Sequence, residues 1–166
     1  LSNDKSNVNL DPLINSIRKA KLPVFILGNG IRNSSIAVIE NFISFLKSKQ
    51  ISYLSTWGSK DLIERIGTSD LYFGSPGIFG SRKANSLLYF SDCLISIGCS
   101  LGYTHTGYRV SNIKPSSLHI VDIDVSQFFK PELKDAKKYL INAEECTNKI
   151  MEKLKNEDAK TKDQFL

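Results

Sequence analysis

This chain of 166 residues has little of what covalent or metal chemistry is usually built from. It contains three cysteines (Cys93, Cys99 and Cys146), two histidines, one methionine and one tryptophan. Three thiols so far apart make neither a disulfide framework nor a CxxC metal pair, and they are one short of a four-cysteine zinc module. Cys93 and Cys146 fall on apolar faces and are expected to behave as small core hydrophobes, with Cys99 more exposed at a strand end. Neither His105 nor His119 has a carboxylate or thiol at ligand spacing, so both are read as structural. No apolar run approaches the ~20 residues that cross a bilayer, and no basic-then-apolar leader opens the sequence. The expectation is a cytoplasmic, reducing location with no membrane partner. Charge of one sign is not concentrated either. The 22 basic residues outnumber the 17 acidic ones for a net charge of +5, yet the lysines are interleaved with acids, as in EKLKNEDAKTKD at 152–163. Without a basic run carrying aromatics, no nucleic-acid partner is expected.

What remains is an ordinary globular composition, 41% hydrophobic and 23% charged, of one-domain length. Residues 1–9 are polar and predict a linker, residues 10–155 a folded domain, and residues 156–166 a second polar linker. Asp11 before Pro12 predicts a capped helix start, and Leu10, Leu13, Ile14 and Ile17 supply its apolar stripe. Short apolar runs at 23–27, 51–55, 71–73, 93–97, 118–123 and 139–141 predict six strands. Between them, Asn33-Ser34-Ser35 offers a cap for a helix over Ile36, Ile39, Phe42, Ile43 and Leu46. Leu62, Ile63 and Ile66 mark a further helical turn or two, and Ala84, Leu87 and Leu88 another helix. Residues 101–108 have no clear period and predict a loop. Asp124 with Gln127, and Asn142 with Glu145, are spaced as capping boxes. Strands alternating with helices predict an α/β fold with a mainly parallel sheet covered on both faces.

The chain is organised around residues 74–98, GSPGIFGSRKANSLLYFSDCLISIG. A loop with Gly74, Gly77 and Gly80 feeds a helix, and the helix leads into a central strand ending at Gly98. Glycine loops at the carboxyl ends of parallel strands, followed by helix amino termini, are where such sheets hold phosphate-bearing ligands. Gly28-Asn29-Gly30 after the first strand begins a dinucleotide fingerprint, but Asn33 stands where the third glycine belongs. The plainer reading is that these glycines only permit backbone angles closed to other residues. Asp122, near a strand end, can accept hydrogen bonds from ribose hydroxyls, or it and Asp124 simply cap the turn that follows.

Five motifs in order, LPVFILGNGIR, STWGSKDLI, FGSPGIFGSRKAN, SDCLISIG and HIVDIDVSQFFK, carry a family resemblance. Over roughly residues 10–154 the chain resembles the central domain of thiamine-diphosphate-dependent enzymes, most of all acetolactate-synthase-like proteins. The resemblance implies a Rossmann-like, six-stranded parallel sheet of order 3-2-1-4-5-6, the kind shared with sirtuins and electron-transfer flavoproteins. It implies a parent carboligase or decarboxylase acting on 2-oxo acids, a homo-oligomer whose flanking pyrimidine- and diphosphate-binding domains hold thiamine diphosphate and Mg²⁺. This chain has no GDG segment and no glutamate that matches the activating one, so no carbon–carbon chemistry is expected from it alone.

The central domain of such enzymes binds FAD or ADP, or serves as a spacer. The positions implied for a nucleotide are Gly28, Asn29, Gly30, Thr56, Trp57, Gly77, Gly80, Gly98, Asp122 and Asp124. Departures from the FAD-binding pattern are several. Cys99-Ser100-Leu101-Gly102-Tyr103 replaces an RFDDR-type run, Phe79 replaces the histidine of an MHG-type loop, and Asn142-Ala143 replaces GD. Each lost charge-assisted hydrogen bond removes about 1.5–3 kcal/mol of affinity. The alternative is a free-standing nucleotide-binding accessory subunit on the same fold.

Overall fold

Alternate residues of PVFIL and CLISI point to opposite faces of a sheet, and every residue of CLISI is buried, which requires packing on both sides. The computed structural model describes residues 8–106 and 117–163. Strands β1 (Pro23–Leu27), β2 (Ser52–Ser55), β3 (Cys93–Ile97), β4 (Ser117–Asp122) and β5 (Lys137–Leu140) form one parallel sheet of order β2-β1-β3-β4-β5. Six strands in the order 3-2-1-4-5-6 were expected, and five are found. The segment expected as the extra edge strand is a single parallel bridge between Tyr53 and Tyr72. Tyr53 N donates to Leu71 O and Phe73 N to Tyr53 O. Gly74 then takes φ +83°, and Ser55 N donates to Gly74 O at 3.1 Å rather than to Phe73 O, so the pairing with β2 slips by one residue and no regular ladder follows the bridge.

Helices α1 (Asp11–Lys19), α2 (Ile36–Ser48), α3 (Trp57–Ile66), α4 (Arg82–Phe90), α5 (Tyr103–Thr106) and α6 (Ala143–Asp163) complete the fold. On one face Phe25, Leu27, Tyr53, Ile95, Ile97 and Val121 meet apolar stripes of α1, α2, α3 and α6. On the other, Val24, Ile26, Leu54, Leu94 and Ile120 meet Ala84, Leu87 and Leu88 of α4 together with Leu133. Each such buried side chain contributes about 1.5–3 kcal/mol. Asp11 does not cap α1 as expected. It lies inside the first turn, and Asn9 Oδ1 accepts its amide at 2.8 Å. The expected cap of α6 is present, with Glu145 N donating to Asn142 Oδ1 at 2.8 Å. This helix continues to Asp163, through most of the stretch expected as a linker, because no glycine or proline after Asn142 interrupts it. Residues 101–108, expected as a loop, hold the short α5, and 107–108 lie outside the described residues.

Candidate functional site

Strand order reverses between β1 and β3, so the crevice at their carboxyl ends is the topological switch point. Two glycine turns cross there in direct backbone contact. Gly28 N donates to Ile97 O at 2.8 Å, and Gly30 N to Gly98 O at 2.9 Å. A Cβ on Gly28 would lie 2.1 Å from Gly98 O, and one on Gly30 2.7 Å from Gly98 Cα. Gly98 itself takes φ +59°. The local reason for GNG and for Gly98 is therefore mutual approach. These two amides point at the neighbouring turn and have no free direction for a phosphate.

Beside the crossing lies a cleft of about 70 Å³ lined by Gly30, Asn33, Ser34, Gly98, Val121, Asp122, Ile123, Ile141, Asn142, Ala143 and Glu144. Small-molecule sites usually span roughly 300–1,000 Å³, more than this cleft alone holds; an open hollow of about 550 Å³ adjoins it through Asn33, Asn142 and Glu144. Asp122 Oδ1 accepts Asp124 N at 2.9 Å. Asp124 caps the 3-10 turn Val125–Phe129 by accepting Ser126 N at 2.9 Å, and it also accepts Gln127 Nε2 at 3.0 Å. These bonds, from Gln127 first, hold its carboxyl below the usual range. Glu144 Oε2 accepts Ser35 N at 2.7 Å. Among the described residues that line the cleft none is basic.

The next pair of loops closes over the β1–β2 side. Thr56 N donates to Leu27 O at 3.0 Å, and the buried Thr56 hydroxyl meets Ser59 Oγ at 3.3 Å. Trp57, the first residue of α3, is 55% exposed with Lys60 Nζ 5.7 Å from its ring centroid. Asn29 Oδ1 accepts Arg32 Nε at 3.0 Å, and the same Nε reaches Gly58 O at 2.8 Å. Arg32 also pairs with Asp61. Arg32 is thus the residue that straps this loop to α3, and sequence reasoning passed over it. Its signal was being the first cation after GNG, with Asp61 in the second turn of α3.

Gly77 and Gly80 do not join this cleft. A Cβ on Gly77 would stand 2.0 Å from Thr104 O, and one on Gly80 2.4 Å from Ser75 O. Gly77 N donates to Asn85 Oδ1 at 2.7 Å, Ile78 N to Thr104 O at 3.2 Å, and Ser81 N to Ser75 O at 3.1 Å. The glycine loop is tied to α5 and α4, with Ser81 Oγ capping α4 through Ala84 N at 3.0 Å. The geometry therefore brings Gly28, Gly30, Gly98 and Asp122 together, sets Asn29, Thr56 and Trp57 alongside, and leaves Gly77, Gly80 and Asp124 to local contacts.

Cys99, expected to be more exposed, is buried, and burial pushes its thiol up to about 11. It sits among Leu101, Leu133 and the α4 side chains because the turn after Gly98 folds back onto the sheet. Burial likewise raises Cys146 to about 12. Thiols so shifted are poor nucleophiles at neutral pH. Among the described residues no three His, Cys, Asp or Glu side chains are placed to hold a metal ion, and no helix is long and apolar enough to cross a membrane.

The family model described as thiamine pyrophosphate enzyme, central domain, matches residues 10–148. A 3D-(3,5/4)-trihydroxycyclohexane-1,2-dione hydrolase of Geobacillus thermodenitrificans is 30% identical over 139 residues, 83% of this chain and 20% of that protein. A Mycobacterium tuberculosis protein named as an acetolactate synthase large subunit is 29% identical over 94 residues, 55% of this chain and 16% of that one. This chain thus spans about a fifth of the length of the curated relatives it matches. Among solved structures, Sir2 bound to acetylated peptide superposes with a TM-score of 0.65 at 13% identity, over 87% of this chain and 98% of that one. A Mycobacterium smegmatis protein described as a thiamin diphosphate-dependent enzyme gives 0.60 at 13% identity, over 87% of this chain and 28% of that one. These two likenesses concern the fold alone. From its first helix to the opening of its last, this chain belongs to the family of thiamine pyrophosphate enzyme central domains.

Proposed function

We propose that this chain is the structural central domain, Rossmann-like in topology, of a thiamine-diphosphate-dependent enzyme that decarboxylates or joins 2-oxo acids. In this reading residues 10–155 form the domain. Flanking pyrimidine- and diphosphate-binding domains of the same protein hold thiamine diphosphate and Mg²⁺ and assemble as a homo-oligomer in the cytoplasm. Thiamine diphosphate supplies a carbanion-stabilising centre when bound there. The residues described here give it no ligand set, and their part is to hold the neighbouring domains at a fixed spacing. The observation that carries the spacer reading is the glycine crossing, whose amides are taken by backbone carbonyls and whose cleft measures about 70 Å³.

The nucleotide reading, with FAD or ADP between Gly30, Gly98 and Asp122, rests on those three residues meeting at the switch point. Thermal unfolding with FAD, ADP or NAD separates the two. Unchanged midpoints with all three fit a spacer, and a rise of several degrees with one of them identifies a bound nucleotide and refutes the spacer. For the parent protein, a second substrate class follows from the 30% identical hydrolase of a cyclic 1,2-dione. A 2-oxo acid and a 1,2-dione both present a carbonyl activated by a second carbonyl beside it. Turnover of pyruvate against a cyclic 1,2-dione by the full-length protein, with thiamine diphosphate and Mg²⁺ added, decides between them. No turnover of either by the full-length protein would favour the accessory-subunit alternative.

A further inference from the structure

In a sheet of this order, the amino terminus of the helix after β1 faces the switch-point crevice and is the natural place for a phosphate. In this molecule a side chain of the chain itself already stands there. Ser35 is the N-cap residue of α2, and its own hydroxyl makes no capping bond. Its amide instead donates to Glu144 Oε2 at 2.7 Å, the length of a charge-assisted hydrogen bond. Glu144 reaches it from the first turn of α6, 109 residues along the chain. One carboxylate therefore serves the positive ends of two helices. Asp122 brings a second acidic side chain to the same cleft, and no lysine or arginine is among the described residues lining it. A diphosphate entering here would displace a bonded carboxylate and meet a second one, with no countercharge among the described residues lining the cleft; Lys149 in the adjoining hollow is paired with Glu145 at 2.8 Å.

We propose that Glu144 is a built-in anion that occupies the phosphate position at the start of α2 and makes the switch-point cleft refuse nucleoside diphosphates. The inference deepens the spacer reading above, and the two can fail separately. It also assigns Glu144 a cross-helix clasp, joining α2 to α6 through the Ser35 amide.

The test follows thermal unfolding of this chain and of Glu144→Ala and Glu144→Gln with inorganic pyrophosphate and with ADP, at constant ionic strength. Wild type is expected to be unmoved by either. Glu144→Ala is expected to unfold several degrees lower, and pyrophosphate is expected to restore part of that loss saturably. The Ser35 amide resonance should shift along the same titration. Glu144→Gln, which keeps the shape and an acceptor oxygen, is the variant to read if Glu144→Ala does not fold, and it too should gain a saturable response. If neither variant responds while wild type stays unmoved, Glu144 is not what excludes phosphate, and the spacer reading survives. If pyrophosphate or ADP stabilises wild type, both are overturned.

Discussion

Acid should weaken this fold through His119 before it reaches the carboxylates. The imidazole is fully buried on β4, stacked against Tyr139 of β5 with ring centroids 5.8 Å apart, and its Nδ1 is 3.0 Å from the Tyr139 hydroxyl. Nε2 is buried without a partner. Burial first, and then the charge of Lys137, lower its pKa from 6.5 to about 4. The unfolded chain takes up the proton near pH 6.5 and the folded chain only near 4. Stability from the neutral ring is therefore complete above 6.5 and falls as pH drops towards 4. At about 1.4 kcal/mol per pH unit the loss reaches about 3 kcal/mol, a large share of the 5–15 kcal/mol typical of a domain. Urea unfolding from pH 7.5 to 4 measures it, compared with a double variant, His119→Phe with Tyr139→Phe, that removes both polar groups together. His105, half-buried and lowered by burial and then by Lys130, is present in both proteins, so its contribution cancels in the difference. The wild-type curve should fall more steeply, and the His119 Cε1 proton should titrate near pH 4. Parallel curves, or a His119 midpoint near 6.5, would refute the reasoning.

Gly98→Ala places a Cβ where φ is +59° and Gly30 Cα is 2.7 Å away. It should cost about 2–4 kcal/mol from left-handed strain and overpacking, read as a lower urea midpoint. Asn142→Ala removes the bond to Glu145 N and should cost about 1 kcal/mol with no change in m-value. Asp92 accepts the amides of Lys21 and Leu22 at 2.7 and 2.9 Å. Burial alone would raise its carboxyl, but these bonds hold it below 3.8. Its contribution is present above that value and lost as pH falls further. Asp92→Ala should cost about 1–3 kcal/mol at pH 7, measured by urea unfolding, and should flatten the stability curve below pH 4.

Local pattern was enough wherever a residue's state depends on its near neighbours in sequence. The runs 23–27 and 93–97 became β1 and β3 without a shift of either end, because short apolar runs between turn residues have few other ways to be buried. The cap at Asn142 was legible because its partner, Glu145, is three residues away. Ordered motifs carried the family, and glycines after strands marked the crevice. The tertiary structure alone decided what those glycines do. Whether Gly28 and Gly30 cradle a ligand or abut Gly98 depends on a second turn about 70 residues distant, and no periodicity reports that. Distance in sequence also hid the contacts Arg32–Asp61 and Glu144–Ser35 and the burial of Cys99 under the turn after β3. The missing sixth strand has the same origin. The run 71–73 has strand propensity, but a ladder needs a partner in register for several residues, and at Gly74 the pairing slips by one, with Ser55 N on Gly74 O, after a single bridge. Sequence set which elements form and in what order, through local sterics and hydrophobic spacing. Only the packing of distant turns determined that the amides of Gly28 and Gly30 are bonded to backbone carbonyls and that of Ser35 to the Glu144 carboxylate.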